Sequence, residues 1–166
     1  MNKLIFIIFI LIAIIVLQNT GFLKTMNNLD IVNVNILTIF KSKDLNLSSQ
    51  GLKAIPSYVF SQTNLENLNI SHNSLSGTIP AEIRNLVNLK TLNASNNLMS
   101  GVPAEIGQLK NLEFIDLSNN HITGLPYELG NLKNLKVLNL SGNKYSQQDL
   151  DYVRSKLPST ANIITE

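Results

Sequence analysis

LENLNISHN (Leu65–Asn73), LKTLNASNN (Leu89–Asn97), LEFIDLSNN (Leu112–Asn120) and LKVLNLSGN (Leu135–Asn143) are one phrase written four times. The steps between Asn73, Asn97, Asn120 and Asn143 are 24, 23 and 23 residues. A fainter copy precedes them: Leu45, Leu47 and Gln50 stand 23 residues before Leu68, Ile70 and Asn73, and Leu52, Ile55 and Pro56 continue in register. Such a fixed period marks a stack of small units, each of which buries its apolar face only against a neighbour. Within a phrase, alternation predicts a short strand. Ile115 and Leu117 point one way, and Phe114, Asp116 and Ser118 the other.

Past the strand, Asn120 is placed to turn the chain, its amide satisfying backbone groups at the bend. Ile122, Leu125, Pro126, Glu128, Leu129 and Leu132 follow. Equivalent series are Leu75, Ile79, Pro80, Glu82, Ile83, Leu86 and Met99, Val102, Pro103, Glu105, Ile106, Leu109. Proline followed by an acidic residue suits a short helix start, because proline has no amide hydrogen to satisfy and glutamate meets the positive end of the dipole. A single turn of α- or 3₁₀-helix is expected in each unit. Ala94 takes the slot of Ile70, Leu117 and Leu140, leaving room that Met99 is expected to fill. SLSGTIP, containing Gly77 and Thr78, makes one unit a residue longer than the next two.

The pattern L-x-x-L-x-L-x-x-N, over roughly Ser42 to Tyr145, resembles the leucine-rich repeat family. The resemblance implies an α/β solenoid: right-handed and curved, with a parallel sheet on the concave side and short helices on the convex side. It also implies that Asn73, Asn97, Asn120 and Asn143 stack as a structural asparagine ladder, which Gln50 frays at the amino end.

The flanks read differently. Every residue from Leu4 to Leu17 is apolar and Lys3 precedes them, so residues 1–23 are expected to be a cleaved signal peptide or a retained membrane anchor. No A-x-A pattern follows to mark cleavage. The charge at Lys3 favours a cytoplasmic amino end, which places the repeats outside the cytoplasm, anchored or secreted. Residues 24–41 are expected to be a linker and an N-terminal cap. Val32, Val34 and Ile36 alternate with Asn33 and Asn35 as in a strand, while Ile36, Leu37, Ile39 and Phe40 leave a short amphipathic helix open. At the far end Ser146 is expected to cap a helix carrying Leu150, Val153 and Leu157, closed by Pro158. A short strand over Ala161, Ile163 and Ile164 follows. Residues 146–166 are thus expected to form a C-terminal cap behind the repeats of 42–145, with no catalytic domain after it.

Composition narrows the function. A net charge of +2, with no Lys/Arg cluster, argues against nucleic acid as partner. The chain has no cysteine, which removes disulfides, thiolate metal sites and cysteine nucleophiles. His72 and His121 stand on different units without a fixed carboxylate companion, and no phosphate-loop, nucleophile-elbow or zinc-protease motif is present. No metal, no cofactor and no catalytic residue is expected. Attention therefore falls on the outward strand face, expected to be the concave face. Its first column is Asn67, Thr91, Phe114 and Val137. The second is Asn46, Asn69, Asn93, Asp116 and Asn139, and the third Ser48, Ser71, Ser95, Ser118 and Ser141. Phe114 beside Val137 is the apolar patch there, and such a patch is a favoured anchor for a protein. Asn67, Asn69, Thr91, Asn93, Phe114, Asp116, Val137 and Asn139 are the partner-binding candidates. Asn46, Asn69, Asn93 and Asn139 also begin N-x-S sequons, so glycans would block this face. Either the protein never meets that machinery or the sheet shields the sites. The expected function is a monomeric, non-catalytic interaction module binding a protein by its concave face; the alternative is an adhesive envelope-surface protein acting by self-association.

Overall fold

The computed structural model describes residues 42–166. The expected signal or anchor (1–23) and the linker with N-terminal cap (24–41) lie outside the described residues.

Each phrase delivers a three-residue strand. These are β1 (Asp44–Asn46), β2 (Asn67–Asn69), β4 (Thr91–Asn93), β6 (Phe114–Asp116) and β7 (Val137–Asn139), joined by β8 (Asn162–Ile164). All pair in parallel, in the order β1-β2-β4-β6-β7-β8. The register is constant, so equivalent residues stand side by side: Asn67 beside Thr91, Thr91 beside Phe114, Phe114 beside Val137 and Val137 beside Asn162. A constant register is what a fixed repeat period produces, because one unit is one sheet spacing.

A second, two-stranded parallel sheet pairs β3 (Ser76–Thr78) with β5 (Leu98–Gly101). Its register shifts between Gly77 and Thr78. Gly77 pairs with Met99 and Thr78 with Gly101, so Ser100 of β5 is the residue left without an opposite number, and Gly77 holds a φ of +74° that glycine adopts freely.

The return path is made of five-residue 3₁₀ turns at Ser57–Ser61, Ala81–Asn85, Ala104–Gln108 and Tyr127–Asn131. Pro56, Pro80, Pro103 and Pro126 stand at the N-caps, one position ahead of the first helical residue. Each proline carbonyl accepts the first turn bond, as from the Ile83 and Ile106 amides at 3.0 and 3.1 Å. Only about two turns fit before the chain must re-enter the sheet, which suits the shorter, tighter 3₁₀ form. Neighbouring turns pack closely. A Cβ on Gly107 would lie 2.3 Å from the Glu128 carbonyl oxygen, so that position admits no side chain without backbone movement.

Between the two sides lies one apolar core. Leu68, Ile70, Leu75, Ile79, Ile83, Leu86 and Leu89, with their equivalents in later repeats, are buried. Ala94 and Met99 are both among them. In the first unit Gln62 occupies the slot of Leu86, Leu109 and Leu132, closing the 3₁₀ turn. It is 1% exposed, and among the described residues neither its Nε2 nor its Oε1 has a hydrogen-bond partner. At the carboxyl end α1 (Gln147–Lys156) starts from Ser146, whose Oγ accepts from the Asp149 amide at 3.4 Å. Leu150, Val153 and Leu157 are buried, and β8 completes the sheet.

Candidate functional site: the concave sheet face

The geometry of this face begins where each strand ends. Ser49, His72, Asn96, Asn119 and Gly142 hold φ of +56°, +54°, +55°, +53° and +69°. These residues form one column, and the left-handed step turns the chain out of the sheet. Asparagine, histidine and glycine tolerate that conformation best. The next residue is the ladder asparagine. Asn97 donates from Nδ2 to the carbonyls of Ile70, Ala94 and Ser95 at 3.0, 3.1 and 3.2 Å, and its Oδ1 accepts from the Leu75 amide at 3.1 Å. Asn120 repeats this on Ala94, Leu117 and Ser118, accepting from Met99. Asn73 and Asn143 make the equivalent set. Among the described residues Gln50 contributes no side-chain bond; its backbone N–H donates to Asn73 Oδ1.

His72 belongs to the left-handed column, with Nε2 3.4 Å from Asn96 Nδ2. His121 follows a ladder asparagine and faces an open concavity lined by Asn119, Thr123, Gly142 and Lys144. Among the described residues no three histidines or carboxylates gather into a metal site.

The third column departs from its expected outward placement. Ser71, Ser95 and Ser118 are buried, not presented outward. Period-two alternation holds only while the strand lasts, and these serines lie beyond its end. Each is folded inward by the residue two before it. Asn69 Oδ1 accepts from the Ser71 amide and hydroxyl at 3.0 and 2.7 Å, and Asn93, Asp116 and Asn139 do the same for Ser95, Ser118 and Ser141. Asn46 takes the Ser48 amide alone. This is the side-chain turn that short Asn and Asp residues favour.

The first column is the most open. Phe114 is 41% exposed. Thr91 and Val137, its lateral neighbours, are half-buried. Asn67 donates to Asp44 across the sheet. Beside this column runs a ladder of alternating charge that sequence reasoning missed: Lys43, Glu66, Lys90, Glu113 and Lys136. Glu66 contacts Lys43 and Lys90 at 2.6 and 2.7 Å, and Glu113 contacts Lys136 at 2.6 Å. Hydrogen bonds from Lys43 and Lys90 hold the Glu66 carboxyl down at about 2, and Glu66 in turn raises Lys90. Lys136 Nζ also lies 5.8 Å from the centre of the Phe114 ring.

A second asparagine set went unread as well. Asn64, Asn88, Asn111 and Asn134 each donate from Nδ2 to a carbonyl of the preceding unit: Ser42, Thr63, Val87 and Lys110, at 3.1, 2.8, 2.9 and 2.8 Å. Each stands immediately before the leucine that opens one of the four phrases.

A stack of parallel strands, 3₁₀ turns and inward asparagines defines the class, and the comparisons supply the family. Family models described as "Leucine Rich repeats (2 copies)" match residues 87–126 and 110–152, and one described as "Leucine rich repeat" matches 43–99. The chain belongs to the leucine-rich repeat family. Among curated proteins none matches. Among solved structures it is similar to the leucine-rich repeat protein LIC12759 of Leptospira interrogans, at 38% identity and TM-score 0.67, covering 72% of this chain and 30% of that one. It is also similar to the ectodomain of the plant membrane receptor kinase GASSHO1/SCHENGEN3 from Arabidopsis thaliana, solved in complex with Casparian strip integrity factor 2. There the identity is 31% and the TM-score 0.57, covering 68% of this chain and 14% of that one. The ectodomain of the Arabidopsis receptor kinase SOBIR1 gives 26%, 0.59, 73% and 67% for the same quantities. The chain thus spans less than a third of the first two relatives' length.

Proposed function

We propose that this protein is a non-catalytic interaction module that binds a protein partner on its concave sheet face, outside the cytoplasm. One observation carries the reading: Phe114 stands 41% exposed on the sheet beside half-buried Val137, where stacking demands no aromatic ring. Exposed aromatics backed by a rigid sheet bury large apolar area with little loss of side-chain freedom, which makes them anchors. The plant receptor ectodomain solved with its integrity factor supports a protein ligand for this architecture. The location rests on Lys3 and the apolar run Leu4–Leu17. Among the described residues no helix is long and apolar enough to cross a membrane.

The test compares the native chain with a Phe114→Ser/Val137→Ser variant in pull-downs from its own cells, after both show the same thermal melt. A partner captured by the native chain and lost by the variant is expected. Equal capture by both removes this face from the function. Concentration-dependent self-association abolished by the same substitutions would favour the adhesive reading. Protease shaving of intact cells is expected to clip the repeats; untouched repeats would refute the location.

A further inference from the structure

We infer that the partner of this face carries a basic side chain, lysine or arginine, that docks on Asp116 with its apolar stem over Phe114 and Val137. The inference rests on the concave-face reading above and names the chemistry of its ligand.

It starts from which end of each second-column side chain the fold consumes. Asn69, Asn93 and Asn139 turn Oδ1 toward the following serine amide and hydroxyl. Because an amide hydrogen must meet an oxygen, this settles the otherwise ambiguous amide orientation. Their Nδ2 groups make no hydrogen bond among the described residues, so the column presents amide donors. At Asp116 the same job is done by Oδ1, which accepts from the Ser118 amide and hydroxyl at 2.9 and 2.7 Å. Its second oxygen has no partner among the described residues, and Asp116 belongs to no ion pair there. One acceptor, negatively charged, therefore interrupts a row of neutral donors.

Register places Asp116 between Asn93 and Asn139, and on the same strand face as Phe114 two residues away. Carboxylate and exposed ring together match a cation on an apolar stem: the charge meets Asp116 and the stem covers the ring. Lys136, the cation nearest the ring, is tied to Glu113 at 2.6 Å, so the two charges largely neutralise each other there. The Asn93 and Asn139 amides on either side suit carbonyl oxygens of the ligand backbone. An acidic ligand residue would instead face Asp116 directly.

Asp116→Asn makes a clean probe. It keeps the acceptor that Ser118 needs, as Asn93 and Asn139 do for their serines, and replaces the free carboxylate oxygen by a neutral amide donor. A random peptide library is selected on the full chain, and recovered peptides are re-measured on Asp116→Asn and Phe114→Ala. The expected result is arginine or lysine at one aligned position. Changing that arginine to citrulline should weaken binding to the native chain roughly three- to thirtyfold, the range for an exposed ion pair plus a cation–ring contact. On Asp116→Asn the ratio should fall to the roughly two- to fivefold that the ring contact alone supports. Peptides that need Phe114 but carry no basic residue, or an arginine-to-citrulline ratio unchanged by Asp116→Asn, overturn this inference and leave the concave-face reading standing. If no recovered peptide depends on Phe114, both fall.

Discussion

Replacing Asn97 and Asn120 together by leucine should destabilise the protein by more than the two single changes added. The reason is that ladder asparagines share acceptors. In Asn97→Leu, the Ile70 carbonyl keeps Asn73 at 2.9 Å, the Ala94 carbonyl keeps Asn120 at 3.1 Å and the Ser95 carbonyl keeps the His72 amide at 3.0 Å. Only the Leu75 amide loses its sole partner. In Asn120→Leu, Ala94 keeps Asn97, Leu117 keeps Asn143 and Ser118 keeps the Asn96 amide, while the Met99 amide is orphaned. One buried orphan plus the weakening of three shared bonds gives about 2–4 kcal/mol for each variant. In the double variant the Ala94 carbonyl loses both of its amide donors. That further buried orphan adds about 1–3 kcal/mol of coupling. Asn73 and Asn120 share no acceptor: the first donates to Leu47, Ile70 and Ser71, the second to Ala94, Leu117 and Ser118. Their cycle is expected to be additive within about 0.5 kcal/mol. The chain has no tryptophan, so guanidinium unfolding followed by far-UV circular dichroism is the assay. A coupling in the Asn97/Asn120 cycle no larger than in the Asn73/Asn120 cycle would refute the shared-acceptor account.

Gln62→Leu should stabilise the protein by about 1–3 kcal/mol, since it replaces a buried amide that has no partner among the described residues by the residue that three other repeats use there; an unchanged or lower denaturation midpoint would contradict this. The charge ladder predicts a pH signature. Glu66 is held at about 2 against its ordinary 4.5, so its ion pairs stabilise the fold fully above 4.5 and lose that contribution as pH falls toward 2. Lys90 is raised, so its share is present below 10.5 and lost as pH rises beyond it. Melting of the native chain and Glu66→Gln across the acid range should therefore converge as pH drops, and a constant gap would show that the pairs contribute nothing.

The sheet, the convex turns and the closing helix were legible because each follows from spacing alone. Leucines at a fixed period can be buried only by stacking, and a proline before each turn leaves 3₁₀ or α as the remaining choice. The serine column was misread because alternation was carried past Asn69 and Asp116, where the strand stops and a side-chain turn takes over. Asn64, Asn88, Asn111 and Asn134 escaped because an asparagine beside a leucine carries no directional signal; its partner carbonyl lies a full repeat away. The alternation of Lys43, Glu66, Lys90, Glu113 and Lys136 could have been read from the sequence by lining up the residue before each strand. Phe114 was visible for the opposite reason: it breaks a column that the repeat leaves otherwise polar or small.

Asparagine recurs in this chain for different physical reasons, and the difference decides where function can vary. In the ladder both ends of the amide are used, so aspartate there would set a carboxylate against carbonyls that require a donor. In the Asn64 set the donor end is used, and aspartate would lose the bond. In the second concave column only the acceptor end is used, and aspartate supplies it equally well, as Asp116 does for Ser118 at 2.9 and 2.7 Å. A charge can therefore appear or disappear in this column without disturbing the turn that the strand end needs. Combined with the first column, where Asn67 alone makes a side-chain hydrogen bond among the described residues, the concave face holds two adjacent rows in which charge can vary without disturbing the fold. Under the proposed reading, partner specificity is expected to reside in those rows, with Asp116 beside Phe114 as the proposed point where this sequence uses that freedom.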